Sequence, residues 1–577
     1  LQFSGGITGG SSSAFQDFLI RVNGDAGHMA KLLPSNAIPA GMIEGLVNGA
    51  VVLTGPTVSP HIRGEVVLTE SKVTLPDLVE KPIGAQATLE FEGMIPRASG
   101  VLLDRLELNV PPIRLPVKGK IQLGERFSID AALSTGTLSL SRVPEWIAKG
   151  GFEAGNVELS LDMKGKGLDW KTWKTTGWLA LTNGLMNAKG TEGPIQDLYM
   201  RVRFVKNGAE IKRLSFRLLD SDVALEGSIR NWVGKPMITA KIEANQMDLD
   251  LLIPKGPRSP IREVLEALAA TSKVQATASI ARGHYKHLKF GSLSARITIQ
   301  DGVLDLDRLS GQSSNGDVAG RIVVQLPQKK PADAELSVRA TGLLVEDVLK
   351  LFGPKAGVIT GEARVTGTIR GNGKNPHGLS PTLDGKVDVL LENGRIFKSE
   401  ERAVWKIISI LNLPAVLQGK VDLEKDGLPY NKISAKVLVR NGLFETENLI
   451  IDSPIVKITA AGNYDMPTDQ VDMVWAVSPF GSYSQFLKTI PLFGRLFAGE
   501  RKGIATALFS VKGSIEDPEV TYLPMKSFAT GVTGLAQLAF DILKNTLMLP
   551  IDLMTPDEEK ADDKGTLPTP EPVPSAP

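Results

Sequence analysis

The stretch VRNGLFETENLIIDSPIVKITAAGNYD, residues 439–465, has the pattern of one complete β-hairpin. Asn441 and Gly442 form a pair that tolerates positive φ, as tight hairpin turns require. Apolar residues then recur through two strand-like runs until Gly462. Nothing in the stretch suggests catalysis, so its meaning depends on how often the chain repeats it.

Three segments repeat this pattern of turn, strand, polar turn containing Ser, strand and glycine. They are residues 207–227, 301–320 and 441–462. Each has a leucine six or seven places after its first glycine, namely Leu214, Leu309 and Leu449. Stacked units of this kind bury a shared core, so the repeat predicts a β-meander.

Alternation of apolar and polar residues with a period of two runs along most of the chain. It is clearest at residues 156–164, 333–341, 361–369, 433–440 and 471–478. Such alternation is typical of antiparallel strands with one apolar and one polar face. Hairpin turns are predicted at Asn183-Gly184, Asn207-Gly208, Asp301-Gly302, Asn393-Gly394 and Asn441-Gly442. We therefore expect a mostly β fold.

Few helices are predicted, and they are short. Helical periodicity and end signals occur at residues 259–272, 343–353 and 399–417, and an amphipathic helix is predicted over about 527–549. The acidic and Pro-rich tail, residues 556–577, is predicted to be disordered.

Composition excludes several classes of protein. The chain has 577 residues with Lys+Arg 65 against Asp+Glu 64, a balance that offers no footprint for nucleic acid. It has no cysteine, so disulfides and thiolate metal sites are absent. The stretch 531–554 carries charges and a proline, which argues against a membrane-spanning helix there.

No catalytic motif stands out. His284 and His287 form an HxxH pair, but in a strand-like run their side chains would lie on opposite faces, so ordinary surface histidines are the expectation. The Gly-rich stretch 367–378 lacks the residues of a phosphate-binding loop. We expect no enzymatic activity, no cofactor and no metal.

The strand pattern offers far more apolar sheet surface than the few helices could cover. Two interpretations stay open. Sheets could cover one another in β-sandwiches, or one sheet could keep an open apolar face for a greasy ligand. The stretch 484–503 adds an apolar and cationic segment, which suits either a buried loop or an element in a membrane interface.

From about residue 343 the chain resembles the AsmA-like C-terminal region family, which includes YhdP and TamB, bridge-like proteins of the Gram-negative envelope. The resemblance rests on an ordered series of motifs over roughly 200 residues. They are LLVEDVLKLFG, GEARVTGTIRGNG, LENGRIFKSEERAVWKIISILNLPAVL, NGLFETENLIIDSPIVKITAAGNYDMPTDQVDMVWAVSP and IPLFGRLFAGERKGIATALFSVKGSIEDPEV, followed by the last helix. In residues 1–342 the resemblance is limited to the general character of the sequence, without the family's motifs.

The resemblance implies a periplasmic protein, anchored in the inner membrane by an N-terminal segment absent from this chain. It implies a long, curved antiparallel β-sheet whose open hydrophobic groove conducts phospholipids between inner and outer membranes. Phospholipids, both membranes and other envelope proteins are then the expected partners. The alternative is a periplasmic scaffold or assembly factor for outer-membrane proteins, and a glycan-binding β-array is a third option.

The expected organisation has four parts. Residues 1–342 form β-groove repeats and residues 343–525 the AsmA-like β-groove region. Residues 526–555 contain the C-terminal amphipathic helix and residues 556–577 the tail. The predicted groove lining is Val157, Leu159, Leu161, Val202, Phe204, Ile297, Ile299, Leu336, Val338, Val437, Val439, Val456, Ile458, Met473 and Trp475. The predicted membrane contacts are Phe486, Leu487, Ile490, Leu492, Phe493, Leu496, Phe497, Phe528, Leu535 and Ile542.

Overall fold

The structure is a computed structural model of the chain. It describes residues 1–9, 13–26, 42–75, 79–96, 100–123, 127–144, 146, 151–167, 169–187, 191–252, 260–313, 316–326, 332–350, 358–373, 381–399, 402–411, 422–479, 506–523 and 541.

The fold is mostly β, and the thirty strands found among the described residues belong to an open, mixed sheet with a few short helices. The first ten strands are β1 Gln2–Thr8, β2 Ala14–Asp25, β3 Ile43–Pro56, β4 His61–Val67, β5 Ser71–Leu75, β6 Val79–Lys81, β7 Thr88–Met94, β8 Val101–Val110, β9 Ile113–Leu123 and β10 Ser128–Ser134. The next ten are β11 Leu138–Ser139, β12 Phe152–Lys166, β13 Lys174–Met186, β14 Ile195–Val205, β15 Gly208–Leu218, β16 Ser221–Arg230, β17 Met237–Asp248, β18 Lys273–Tyr285, β19 Leu288–Gln300 and β20 Val303–Ser313. The last ten are β21 Gly316–Gln325, β22 Ala332–Leu344, β23 Ile359–Gly373, β24 Asp384–Ile396, β25 Leu428–Arg440, β26 Leu443–Asp452, β27 Val456–Asp465, β28 Gln470–Pro479, β29 Ala507–Ser514 and β30 Glu519–Leu523. An open sheet was one of the two interpretations of the alternation, and it is confirmed.

The helices that the structure describes are short. The α-helices are α1 Pro260–Thr271, α2 Val345–Lys350, α3 Ala403–Ile410 and α4 Leu423–Asp426, and the 3-10 helices are Leu140–Arg142, Trp170–Thr172 and Leu249–Leu252. Thus α1, α2 and α3 confirm helices at three of the predicted positions. The predicted helix over 527–549 and the tail lie outside the described residues, apart from Asp541, which is helical.

Neighbouring strands pair antiparallel with one described exception. β17 and β18 are parallel, with Met237 opposite Lys273 and Asp248 opposite His284. The expectation of a purely antiparallel sheet is therefore wrong at this point. The reason is α1, which lies in the connection from β17 to β18 and returns the chain to the edge where β17 began.

The chain divides into two compact units. The first consists of residues 1–387 with 439–442, and the second of residues 388–438 with 443–577. The first unit contains β1 to β23 and α1 and α2. The second contains α3, α4 and β26 to β30, together with most of β25.

The three predicted repeats are hairpins with the same irregularity. They form the pairs β15–β16, β20–β21 and β26–β27. In each, the register shifts by a β-bulge just before the conserved position of the repeat, at Leu214, Leu309 and Leu449. The aligned leucine thus marks the first paired residue after a bulge, which explains its similar distance from the turn in all three repeats.

Three of the five predicted hairpin turns are confirmed. Asn207, Asp301 and Asn441 have positive φ and precede a new strand. The other two predictions are wrong, because Asn183-Gly184 lies inside β13 and Asn393-Gly394 inside β24. Asn183 and Asn393 both have φ of 52°, and the β13 pairing shifts register at this point. The same left-handed preference that suits a hairpin turn also suits a bulge.

Candidate functional site

The register of the first unit brings the predicted lining residues of β12 to β23 onto one face. Leu159 lies opposite Leu179, which lies opposite Val202, which lies opposite Ile211. The row continues across the remaining strands through Gly227, Ala240, Ala276, Ile297, Leu306, Ile322, Leu336 and Ile369. We call this side of β12 to β23 the apolar face.

A parallel row on the same face is also free of polar residues. It consists of Leu161, Gly177, Phe204, Ala209, Ile229, Ile238, Val274, Ile299, Leu304, Val324, Ala334 and Gly371. From Leu161 the pairing also runs back to β1 through Leu133, Val117, Leu106, Phe91, Gly64, Val51, Ile20 and Phe3. A continuous apolar track therefore crosses the first unit.

The opposite side of the same strands is polar. One of its rows consists of Ser160, Trp178, Arg203, Glu210, Ser228, Thr239, Gln275, Thr298, Asp305, Val323, Glu335 and Arg370. Cross-strand ion pairs connect such rows. Arg321 donates to both carboxylate oxygens of Asp305, at 2.9 and 2.7 Å. These hydrogen bonds hold the pKa of Asp305 below its ordinary value.

The apolar face is accessible in spite of its composition. Leu336 is 41% exposed, and Val157, Leu159, Leu161, Val202, Phe204, Ile297 and Val338 are half-buried. Side chains that pack only sideways against their neighbours in a sheet retain this intermediate exposure. The face thus offers apolar surface to a ligand.

Helix α1 covers one margin of the apolar face. Its Ala269 is buried with Val274, Ile299 and Leu304, while Leu265 and Leu268 pack against this cluster together with Ile238, Ile297, Leu306, Val324 and Leu326. The amide of Gly302 donates to the carbonyl of Ala269 at 3.3 Å, which fixes the end of the helix to the β19–β20 turn. This explains why Ile299 is only 2% exposed. The helix forms a wall along one edge of the strands.

Glycines on the apolar face mark places where neighbouring strands approach closely. Gly177 has φ of +127°, and a Cβ there would collide with the carbonyl oxygen of Ser160 on β12. Gly320 and Gly367 are similar, since a Cβ would meet the carbonyl oxygens of Ser337 and Lys386. Strand glycines of this kind permit sharp local bends.

The second unit treats its predicted lining residues differently. Ile458 lies opposite both Ile451 and Val477, and Trp475 lies opposite both Ala460 and Phe509. Val456, Ile458 and Trp475 are buried there, while Val437 and Met473 are half-buried. Val439, which belongs to the first unit, is buried as well. The four buried residues share the alternation of the apolar face without its exposure.

The other side of β27 to β29 is buried as well. Thr459, Ala461, Val474, Ala476 and Leu508 are all at most 4% exposed. The predicted membrane contacts, from Phe486 to Phe497 and at Phe528, Leu535 and Ile542, lie outside the described residues and stay predictions.

Helix α3 is built into the second unit. Trp405, Ile407 and Ile408 are buried. Lys406 reaches the β29–β30 turn, where its Nζ donates to Asp517 Oδ1 at 2.5 Å and to the Pro518 carbonyl at 2.8 Å. This helix is therefore part of a closed core.

Residues 239–520 match the family model described as YhdP protein. Over this region the chain is similar to the YhdP family. YhdP is a family of envelope proteins, and at the level of the family the match indicates envelope lipid transport. The resemblance inferred from the motifs is confirmed, and the match begins in β17, about a hundred residues before those motifs.

Searches for related proteins found no matching curated protein and no matching solved structure. Within the described residues, no helix is long and apolar enough to cross a bilayer.

Sequence reasoning identified only part of the apolar face. It missed the residues that complete the rows, among them Leu179, Ile211, Leu306, Ile322 and Ile369. Ile211, Leu306 and Ile369 have polar residues on both sides, so the period of two could have found them. It gave no sign that the second unit buries both sides of its strands.

Proposed function

We propose that this chain, which is similar to the YhdP family, conducts phospholipids between the inner and outer membranes of a Gram-negative envelope along its apolar face. The observation that carries the proposal is the row from Leu159 to Ile369, which crosses twelve strands without a polar residue. Acyl chains would lie on this row while headgroups remain in water. The process needs no chemical step by the protein.

The energetic argument rests on the cost of exposing acyl chains to water. Burying one methylene is worth about 0.8 kcal/mol, so a 16-carbon chain in water costs on the order of 10 kcal/mol. An apolar row that continues from strand to strand lowers this cost at every step along the path. A polar residue within the row would restore part of this free-energy cost at its position.

The exposure of Leu336 supports the same proposal. A closed core would leave this side chain little contact with solvent, whereas 41% of it is accessible. Val338 follows on the same face of β22 and is half-buried. Both residues pair with apolar face residues of β21 and β23.

Photo-crosslinking at two neighbouring positions tests the proposal. A benzophenone side chain at Leu336 lies on the apolar face, and one at Glu335 lies on the polar face with similar exposure. In living cells we expect phospholipid adducts at position 336 and few at 335. Equal yields at both positions would contradict the assignment of the lipid path.

The same experiment addresses the scaffold alternative. Mass spectrometry of the adducts distinguishes lipid from polypeptide. Polypeptide adducts at position 336, with no lipid, would favour a scaffold or assembly factor for outer-membrane proteins and would overturn the lipid path.

A further inference from the structure

Three metal-ligating side chains meet at the end of the parallel strand pair. Asp248 ends β17 and lies in register with His284 of β18, and Asp250 follows in the 3-10 helix. Within the described residues, one donor atom of each side chain lies within 4.8 Å of the other two. Asp248 and Asp250 were not among the predicted site residues, and His284 was expected to be an ordinary surface histidine.

The distance between His284 and Asp248 suits two ligands of the same metal ion. His284 Nδ1 lies 3.5 Å from Asp248 Oδ1. Two ligands held at about 2.1 Å in tetrahedral geometry are about 3.4 Å apart. This pair therefore needs almost no movement to bind one cation.

The imidazole nitrogen of His284 has no hydrogen-bond partner. Its Nδ1 atom is inaccessible to solvent and unsatisfied, although the ring as a whole is partly exposed. A buried nitrogen without a partner is costly, and a metal ion would satisfy it. This observation is independent of the clustering of the two carboxylates.

Both carboxylates are already oriented by backbone amides. Asp248 Oδ1 accepts from the amide of Asp250 at 2.9 Å, and Asp250 Oδ2 accepts from the amide of Lys286 at 2.8 Å. Each carboxylate retains a second oxygen for which the structure gives no hydrogen bond. Ligands positioned in this way lose little side-chain freedom when an ion binds.

We propose that Asp248, Asp250 and His284 bind a first-row divalent transition cation of the Zn²⁺ class. One imidazole with two carboxylates suits Zn²⁺ better than Ca²⁺ or Mg²⁺, which prefer oxygen ligands alone. The ion would join the end of β17 to β18 and to the 3-10 helix, at the one described place where the strands run parallel. The proposal is independent of lipid transport.

Calorimetry on the whole chain, stripped of metal with a chelator, tests this site with ZnCl2 as the probe. We expect one Zn²⁺ per chain and a higher melting temperature when the ion is in excess. His284→Gln removes the nitrogen ligand, and Asp250→Asn keeps an oxygen that can accept from Lys286. Each variant should weaken binding at least about tenfold, in line with the loss of one ligand. His287→Ala is the matched control and should bind as the unmodified chain does.

The spectrum of bound Co²⁺ provides a second readout. Visible bands typical of a low-symmetry site should appear with the unmodified chain and with His287→Ala, and disappear with His284→Gln. No binding of Zn²⁺, or equal binding by the unmodified chain and both ligand variants, would overturn the site. Binding of Ca²⁺ in preference to Zn²⁺ would overturn the assignment of the metal class. Circular dichroism of each variant separates lost ligands from lost folding.

Discussion

Strands β12 to β23 of the first unit and β27 to β29 of the second share one alternating pattern but differ in burial. On β22, Leu336 of the apolar face is 41% exposed, whereas Ile458 of β27 is 1% exposed. The polar sides differ too, with Glu335 exposed on β22 and Thr459 fully buried on β27. A period of two therefore shows which residues of a strand lie on the same face. Whether the strand is buried on both faces depends on the residues at the alternate positions, which are polar and mostly exposed on β22 but mostly buried on β27.

The largest expected effect on folding comes from truncating a buried side chain of the second unit. Ile458→Ala should cost about 2–5 kcal/mol, because the side chain is fully packed and leaves a cavity. Leu336→Ala is the matched control on the open face and should cost about 1 kcal/mol or less, since much of the side chain already contacts solvent. Denaturation midpoints and hydrogen exchange in β27 and β22 measure the difference. Similar losses at both sites would remove the distinction between the two regions.

A substitution at a tightly packed glycine of the apolar face should have the next largest effect. Gly177→Ala places a Cβ against the carbonyl of Ser160 at a positive φ, so we expect a loss of about 1–3 kcal/mol. Gly136→Ala is the control, because that glycine is exposed and has open space around it. Thermal unfolding compares the two variants. Equal stability would show that the approach of β12 and β13 tolerates a side chain.

A charge on the open face should disturb function more than folding. Leu336→Glu keeps its carboxylate in contact with water, so the melting temperature should change little, whereas the apolar row is interrupted. The amount of co-purifying phospholipid, measured by mass spectrometry, should fall. Ser337→Glu, on the polar face of the same strand, is the control. Unfolding of the Leu336 variant would instead indicate that this face is a closed core.

The smallest effect on stability is expected from breaking an ion pair on the polar side of β12 to β23. The pKa of Asp305 is lowered by its hydrogen bonds to Arg321, so the pair stabilises the fold above the ordinary value of 3.8. That contribution is lost as the pH falls through the lower pKa of the folded state. Asp305→Asn should therefore lower the melting temperature slightly at pH 7, and the difference should shrink as the pH falls through the lowered pKa. A difference that grows in acid would contradict this sign.

Much of the fold was predictable, because it depends on local signals. Alternation located the strands, and glycine with asparagine or aspartate located three hairpin turns. The β-bulges were not predictable from alternation, since they change its phase within a strand. In β15 the apolar face passes from Ala209 and Ile211 to Leu214 and Phe216, from odd to even positions.

The candidate site was only partly predictable for a different reason. Residues on one strand share a face by local geometry, so Val157, Leu159 and Leu161 were placed together correctly. Which strands become neighbours depends on pairing over longer distances. Asp248 and His284 are brought together by the parallel pairing of β17 with β18, which no local sequence pattern predicts.

The crossover through α1 has a consequence for how such a chain can evolve. In a meander of hairpins, successive turns lie at opposite edges of the sheet. If duplication adds one strand, every later turn moves to the other edge. Strands must therefore be added in pairs for the later turns to stay where they are. β17 and β18 start from the same edge. Exchanging this crossover for a hairpin would let a descendant gain or lose a single strand while all later hairpins keep their orientation. The helix is therefore a point at which the number of strands can change from even to odd.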